Sequence, residues 1–165
     1  MKNFYCLTIF LIAFSINAQE NIKYQKPSKE ILDLVEYERP PSVQYDEEKN
    51  YMVFLYRDNY KSISDLSEKE LRLGGLRINP KTNIGSRVTF YNNVKIKKLK
   101  DKNGSVNQVS GLPDNPKLTN FTWSPDETKI ALTNTTEKGV ELWVFDLETA
   151  SVFKLTDAIL NANIG

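Results

Sequence analysis

At 165 residues, with 40% hydrophobic and 26% charged side chains, the chain has the length and make-up of about one globular domain. Its 22 basic and 21 acidic residues leave no basic field for nucleic acid and no acidic tail. There is no histidine, and the one cysteine is Cys6, so this chain contains no imidazole base, no Ser-His-Asp or Cys-His nucleophile system and no thiolate–imidazole zinc set.

The first element is a leader. Lys2 is a short basic start, Phe4 to Ile16 ("FYCLTIFLIAFSI") is an apolar core, and Asn17-Ala18 leads into Gln19-Glu20. This is the three-part plan of a secretory signal peptide over residues 1–18, with Ala18 at the cleavage position. The apolar core falls short of the roughly 20 residues that span a bilayer. Cys6 lies inside that core and not at its end, where a lipid-modified cysteine would stand. Cleavage removes Lys2 as the only charge, leaving 21 basic against 21 acidic residues and no disulfide. The sequence therefore predicts an exported protein, periplasmic or extracellular, with no membrane association once the leader is gone.

Residues 19–41 form a polar lead-in with one short helix, expected over 29–36 and docked on a body of strands. Ser28 is its candidate cap, Ile31, Leu32 and Val35 share a face, and Pro40-Pro41 forbid continuation.

"PSVQY" and "YMVFLYR" then read as two strands, the second apolar enough for burial on both faces. Residues 57–87 break the pattern. They read as a long insertion with a helical turn at Ser67–Leu71 and a Pro/Asn/Gly-rich tail. Arg72, Arg77 and Arg87 within it are candidates for meeting an anionic ligand, surface solubility being the commoner role of such residues. "NNVKIKKLK" and "SVNQVSGL" are the next two strands, joined by "DKNG", where Asn103-Gly104 tolerates the positive φ of a hairpin turn. Lys95, Lys97, Lys98 and Lys100 lack an aromatic stacking pattern. They suit an exposed strand protected from edge pairing better than a nucleic-acid patch.

The clearest part is "LTNFTW", "KIALTN", "VELWVFD" and "SVFKLT". These are four strands joined by a Ser124-Pro125-Asp126 turn, a "TTEKG" loop and "LETA". Val140, Leu142 and Val144 share one side of the third. Four consecutive strands in so short a span are the pattern of a propeller blade. The fold class is thus all-β, an incomplete β-propeller over 42–165. Blade one is expected at about 42–112, blade two at about 118–156, and the stub of a third at 157–165. A unit of this kind cannot bury its apolar face without neighbours. Trp123, Leu142 and Trp143 are expected to be only partly covered, and open strand edges are expected to promote self-association.

Chemistry-bearing motifs are missing. The glycines form no G-x-S-x-G elbow, phosphate loop or dinucleotide fingerprint; "LGGLRINP" has adjacent glycines at none of these spacings. "DEEKN" at Asp46 to Asn50 lacks the glycine and later glutamate of a calcium loop. No catalytic, cofactor or metal residue is assigned, and no substrate-contacting residue is singled out.

"FTWSPDETKIALTNTTEKGVELWVFDLETASVFKLT" resembles the blades of exported serine peptidases of the prolyl oligopeptidase type and of the periplasmic propeller of the Tol system. "YQKPSKEILDLVEYERPPSV", the block from Val53 to Arg87 and "LNANIG" are similar to the N-terminal region of bacterial members near the glutamyl endopeptidase branch. The resemblance runs from about Tyr24 to Gly165. It implies a propeller that filters peptides and shapes a substrate cleft, with hydrolysis by a Ser-Asp-His triad in a following α/β-hydrolase domain. No triad member matches a residue of this chain, so none carries over. Glu127 stands where the family's turn often has glycine. The resemblance therefore implies an N-terminal portion, inactive by itself, of a longer serine peptidase acting on peptides. The competing expectation is a stand-alone propeller-like binding module that closes by oligomerising.

Overall fold

A computed structural model describes residues 25–101 and 104–163 of two compact units, Met1–Tyr37 and Glu38–Gly165. The leader with Cys6, and Asn103 of the expected hairpin turn, lie outside the described residues. In the first unit, α1 spans Lys29–Val35. Ser28 stands at its start, and its carbonyl accepts from the Ile31 and Leu32 amides, but its side chain caps no helix donor. The helix buries none of its residues, and Ile31, Leu34 and Val35 are all exposed.

The second unit holds three antiparallel sheets. The first contains β1 (Ser42–Tyr45), β2 (Tyr51–Tyr56), β6 (Asn93–Lys98) and β7 (Asn107–Gln108), side by side in that order. Asp46 nucleates the turn between β1 and β2, its two carboxylate oxygens accepting from the Asn50 and Tyr51 amides at 2.9 and 2.7 Å. The second contains β8 (Leu118–Trp123), β9 (Lys129–Thr136), β10 (Gly139–Asp146) and β11 (Ser151–Lys154), each paired with the next. The expected "TTEKG" loop is shorter than the sequence suggested. Thr135 and Thr136 extend β9, Gly139 pairs with Thr136, and only Glu137 and Lys138 turn.

The fourth strand of the first sheet is also shorter than expected, because the chain leaves that sheet to join the second. The Ser110 amide donates to the Ala150 carbonyl at 3.0 Å, and the Val152 amide donates back to the Ser110 carbonyl at 2.8 Å. Gly111 makes this crossing possible. Its φ is +78°, and a Cβ there would lie 2.2 Å from the Val152 carbonyl oxygen.

One core joins both sheets. Val53, Leu55, Val94 and Ile96 come from the first, and Leu118, Ile130, Leu132, Phe145 and Val152 from the second. Trp143 packs on this core in the same alternation as Phe145, so Val140, Leu142 and Val144 share the opposite side of β10. Trp123, Leu142 and Trp143 are half-buried. The outer face of β2 is half-buried as well, where burial on both faces was expected: Val53 and Leu55 are enclosed while Met52, Phe54 and Tyr56 are not.

The insertion between β2 and β6 is ordered. Its helix, α2, spans Ile63–Ser67 and not Ser67–Leu71, because Ser62 and Asp65 form a reciprocal capping box that starts it earlier. The segment read as a Pro/Asn/Gly-rich tail carries the third sheet, formed by β3 (Leu71–Leu73), β4 (Leu76–Asn79) and β5 (Ile84–Gly85). Gly74 and Gly75, at φ +52° and +91°, make the two-residue turn between β3 and β4. The stub beyond β11 ties this sheet to the second one. The Leu160 amide donates to Val140, and the Ala162 amide donates to Asn83, both at 3.0 Å.

Candidate functional site

A cleft of about 1210 Å³ opens between the insertion and the second sheet. One wall is α2 with the β4–β5 region; the other is the approach to β8 and the end of β9. Specific contacts bridge the two walls. Lys117 Nζ meets Asp65 Oδ1 at 2.8 Å, and Lys81 reaches Glu137 at 3.8 Å. Tyr91 and Leu118 exchange two backbone hydrogen bonds, at 2.8 and 2.9 Å. These tie the insertion's return to the first residue of β8.

Most charged groups in the cleft are engaged. The Asp65 carboxyl is held down to about 2, first by the Lys117 ammonium and then by the Ser62 hydroxyl that caps α2. Asp58 accepts from the Asn92 amide group at 2.8 Å, and Glu68 accepts from the side chain of Asn79. Lys61 donates to the Ser86 carbonyl at 3.3 Å. Arg39 and Arg57, both half-buried in the lining, have no ion pair among the described residues. Two hydroxyls, Thr82 on one wall and Thr135 on the other, are buried without a hydrogen-bond partner among the described residues.

The three arginines singled out from the sequence do come together, but around the chain's own Glu70. Arg77 Nη1 lies 2.7 Å and Arg72 Nε 2.9 Å from Glu70 Oε1, and Arg87 Nε lies 3.9 Å from Oε2. Ser86 donates to Oε2 at 2.6 Å. Ser86, followed by Arg72 and Arg77, holds the Glu70 carboxyl at about 2. The trio thus serves the third sheet, stitching β3 and β4 to the strand return.

The lysine row is likewise structural. Lys95 and Lys97 point away from Val94 and Ile96, and Lys95 Nζ sits 4.9 Å from the centre of the Tyr56 ring. β6 pairs with β7 over part of its length. β7 pairs with Lys95 and Ile96, and among the described residues no strand pairs with Lys97 and Lys98 on that side. Lys98 reaches the Glu148 carbonyl at 3.3 Å.

Sequence reasoning missed Arg39, Arg57, Thr82, Lys117 and Thr135. Arg39 stands next to Pro40-Pro41 and Arg57 directly follows β2. Neither position announces a cleft, which forms only when the insertion folds back.

Comparison with known proteins gives the chain its relatives. It is 32% identical to a probable chloroplastic glutamyl endopeptidase of Oryza sativa subsp. japonica over 151 residues, and 30% identical to the Arabidopsis thaliana protein of the same description over 150. Each match covers 84% of this chain. The chain is a distant relative of the plant glutamyl endopeptidases. It spans 16% of the length of these curated relatives. No family profile matches it, and no solved structure does.

Proposed function

We propose that this stretch is the propeller-type, non-catalytic part of an exported serine-type peptidase. It scaffolds the enzyme and controls which peptides enter, while hydrolysis is carried out by a Ser-Asp-His domain encoded elsewhere in the polypeptide. The observation that carries this reading is the relationship itself: most of the chain aligns with a small share of the plant enzymes. Three further features support it. Two four-stranded meanders follow one another along the chain and share a core, as successive blades do. Their outer faces carry exposed apolar side chains, Val43 and Tyr45 on the first and Phe153 on the second, exposed by 40, 51 and 46%. The sequence has no histidine, so a triad cannot be assembled within it. The leader-like residues 1–18 support export to the periplasm or beyond.

A serine-directed fluorophosphonate probe tests the reading. The purified 165-residue chain is expected to stay unlabelled and to leave peptides uncut. The natural polypeptide, captured with an antibody raised against this chain, is expected to be labelled at a serine outside these residues. An unlabelled natural polypeptide that cuts no peptide would favour the stand-alone binding module and overturn the peptidase reading.

A further inference from the structure

The insertion has the construction of a flap. It leaves β2 after Tyr56 and returns to β6 at Asn93, and these two residues pair directly across the strands. Its two ends therefore sit side by side. That base is fastened. The Asn92 amide donates to the Tyr56 carbonyl at 2.8 Å, the Asn92 side chain donates to Asp58 at 2.8 Å, and Tyr91 is tied to Leu118. Beyond the base the insertion contributes little to the rest of the unit. Among the described residues, the core shared by the two sheets takes no side chain from 57–90, and within that range only Asn79, Thr82 and Ile84 are buried.

Inside, the insertion is cross-linked to itself. Glu70 gathers Arg72, Arg77 and Ser86, and Asn79 donates to Glu68. The Ser86 amide donates to the Arg77 carbonyl at 2.8 Å, and the Asn83 amide to the Asn79 carbonyl at 3.0 Å. Its bonds to the second sheet and the stub are of another kind, polar and near the surface. Lys117 Nζ meets Asp65 Oδ1 at 2.8 Å with both side chains partly exposed, and Lys81 reaches Glu137 at 3.8 Å with both exposed. The Ala162 amide donates to the Asn83 carbonyl at 3.0 Å. Ion pairs this exposed hold weakly and are screened by salt. A self-braced segment with adjacent ends and a weak outer attachment opens as a unit before the rest of the fold does.

We propose that residues 59–90 are a hinged flap that swings as one body about its paired ends and widens the cleft, with the Lys117–Asp65 ion pair as its salt-sensitive latch. The stub stays on the second sheet through the Leu160 amide, which donates to Val140, while the Ala162–Asn83 hydrogen bond breaks as the flap leaves. The device does not depend on the peptidase reading, since it rests on this chain's own residues.

The test is hydrogen exchange of the full chain at low and high salt, resolved to single amides by mass spectrometry with electron-transfer fragmentation. Four amides separate the possible motions. Ala162 bonds the flap, Leu160 holds the stub to the second sheet, Ser86 lies inside the flap, and Val109, which donates to Val94 at 3.3 Å, lies in the core. High salt and Lys117→Gln are each expected to speed exchange at Ala162 by about threefold or more, with the other three changing less than about twofold. Lys117 is the partner to replace because Asp65 also caps α2. If Lys117→Gln does not fold, the salt comparison on the unmodified chain decides. Faster exchange at Ser86 together with Ala162 would mean that the insertion unfolds and does not swing, which overturns the proposal. Faster exchange at Leu160 together with Ala162 would mean that the stub frays, which overturns it too. So would an Ala162 rate left unchanged by salt or by Lys117→Gln.

Discussion

The Glu127 carboxylate accepts a hydrogen bond from the Glu47 amide at 2.7 Å, across 80 residues of chain. The turn between β8 and β9 is thereby tied to the turn between β1 and β2. Glu127 makes this contact from φ +52°, a region that favours glycine. The residue exchanges backbone comfort for a link between the two sheets. Glu127→Ala keeps the strained backbone and loses the link, so it is expected to lower stability by ~1 kcal/mol or more in urea melts. Glu127→Gly loses the link but relieves the strain, and is expected to be about 1 kcal/mol less damaging than Glu127→Ala. Equal losses in the two variants would mean that the backbone strain is not there.

Gly111 is the point where the first sheet hands the chain to the second. A Cβ 2.2 Å from the Val152 carbonyl oxygen, at a φ of +78°, cannot be accommodated without moving β11. Gly111→Ala is expected to cost about 2–4 kcal/mol. It is also expected to speed amide exchange at Ser110 and Val152, whose hydrogen bonds make the crossing. An unshifted denaturation midpoint would contradict the crossing as described.

Acid sensitivity follows from three carboxylates. Asp65, Glu70 and Asp146 are each held at about 2, the last chiefly by the Thr149 amide and then by Lys129. Their folded values lie below the ~4 of an unfolded chain. Their contribution is therefore complete above about pH 5 and lost as pH falls from there through 2. All three sit near the surface, so salt weakens the effect. Carboxyl-carbon NMR is expected to find the three titrating near pH 2. Asp65→Asn is expected to lose less stability than the parent chain between pH 5 and pH 2. Ordinary titration near pH 4 would remove the Lys117–Asp65 clamp from the account.

The open faces predict association. Tyr45 and Phe153 are exposed on the outer sides of the two sheets, and Leu155, two residues after Phe153, is 58% exposed. The isolated chain is expected to sediment as oligomers or aggregates, and Tyr45→Lys with Phe153→Lys is expected to shift it toward monomer. A sharp cooperative melt from a stable monomer of the unmodified chain would contradict this.

The second sheet was readable because its strands are short apolar runs and each connection contains its turn residues, as Ser124-Pro125-Asp126 shows. Asp126 accepts from Ser124 at 2.6 Å and from the Thr128 hydroxyl at 3.0 Å. The orientation of β10 was harder to read, since Val140, Leu142, Val144 and the opposite Trp143, Phe145 row are both apolar. Period two then locates two faces without saying which meets the core. In the insertion, Leu71, Leu73, Leu76 and Ile78 around Gly74-Gly75 carried a hairpin signal, but the surrounding polar residues made the segment look like loop. The cleft was out of reach for a different reason. Arg39, Arg57 and Lys117 are brought together by strand register and by the fold-back of the insertion, and no short-range pattern encodes either.

The central claim is that these residues are one part of a larger peptidase. It is tested most directly by the intact mass of the natural protein, detected in the cell envelope through a peptide containing Trp123. The account predicts a mass several times the 19.0 kDa of this chain. A mass matching residues 19–165 alone would contradict it and leave the relationship to the plant enzymes as ancestry.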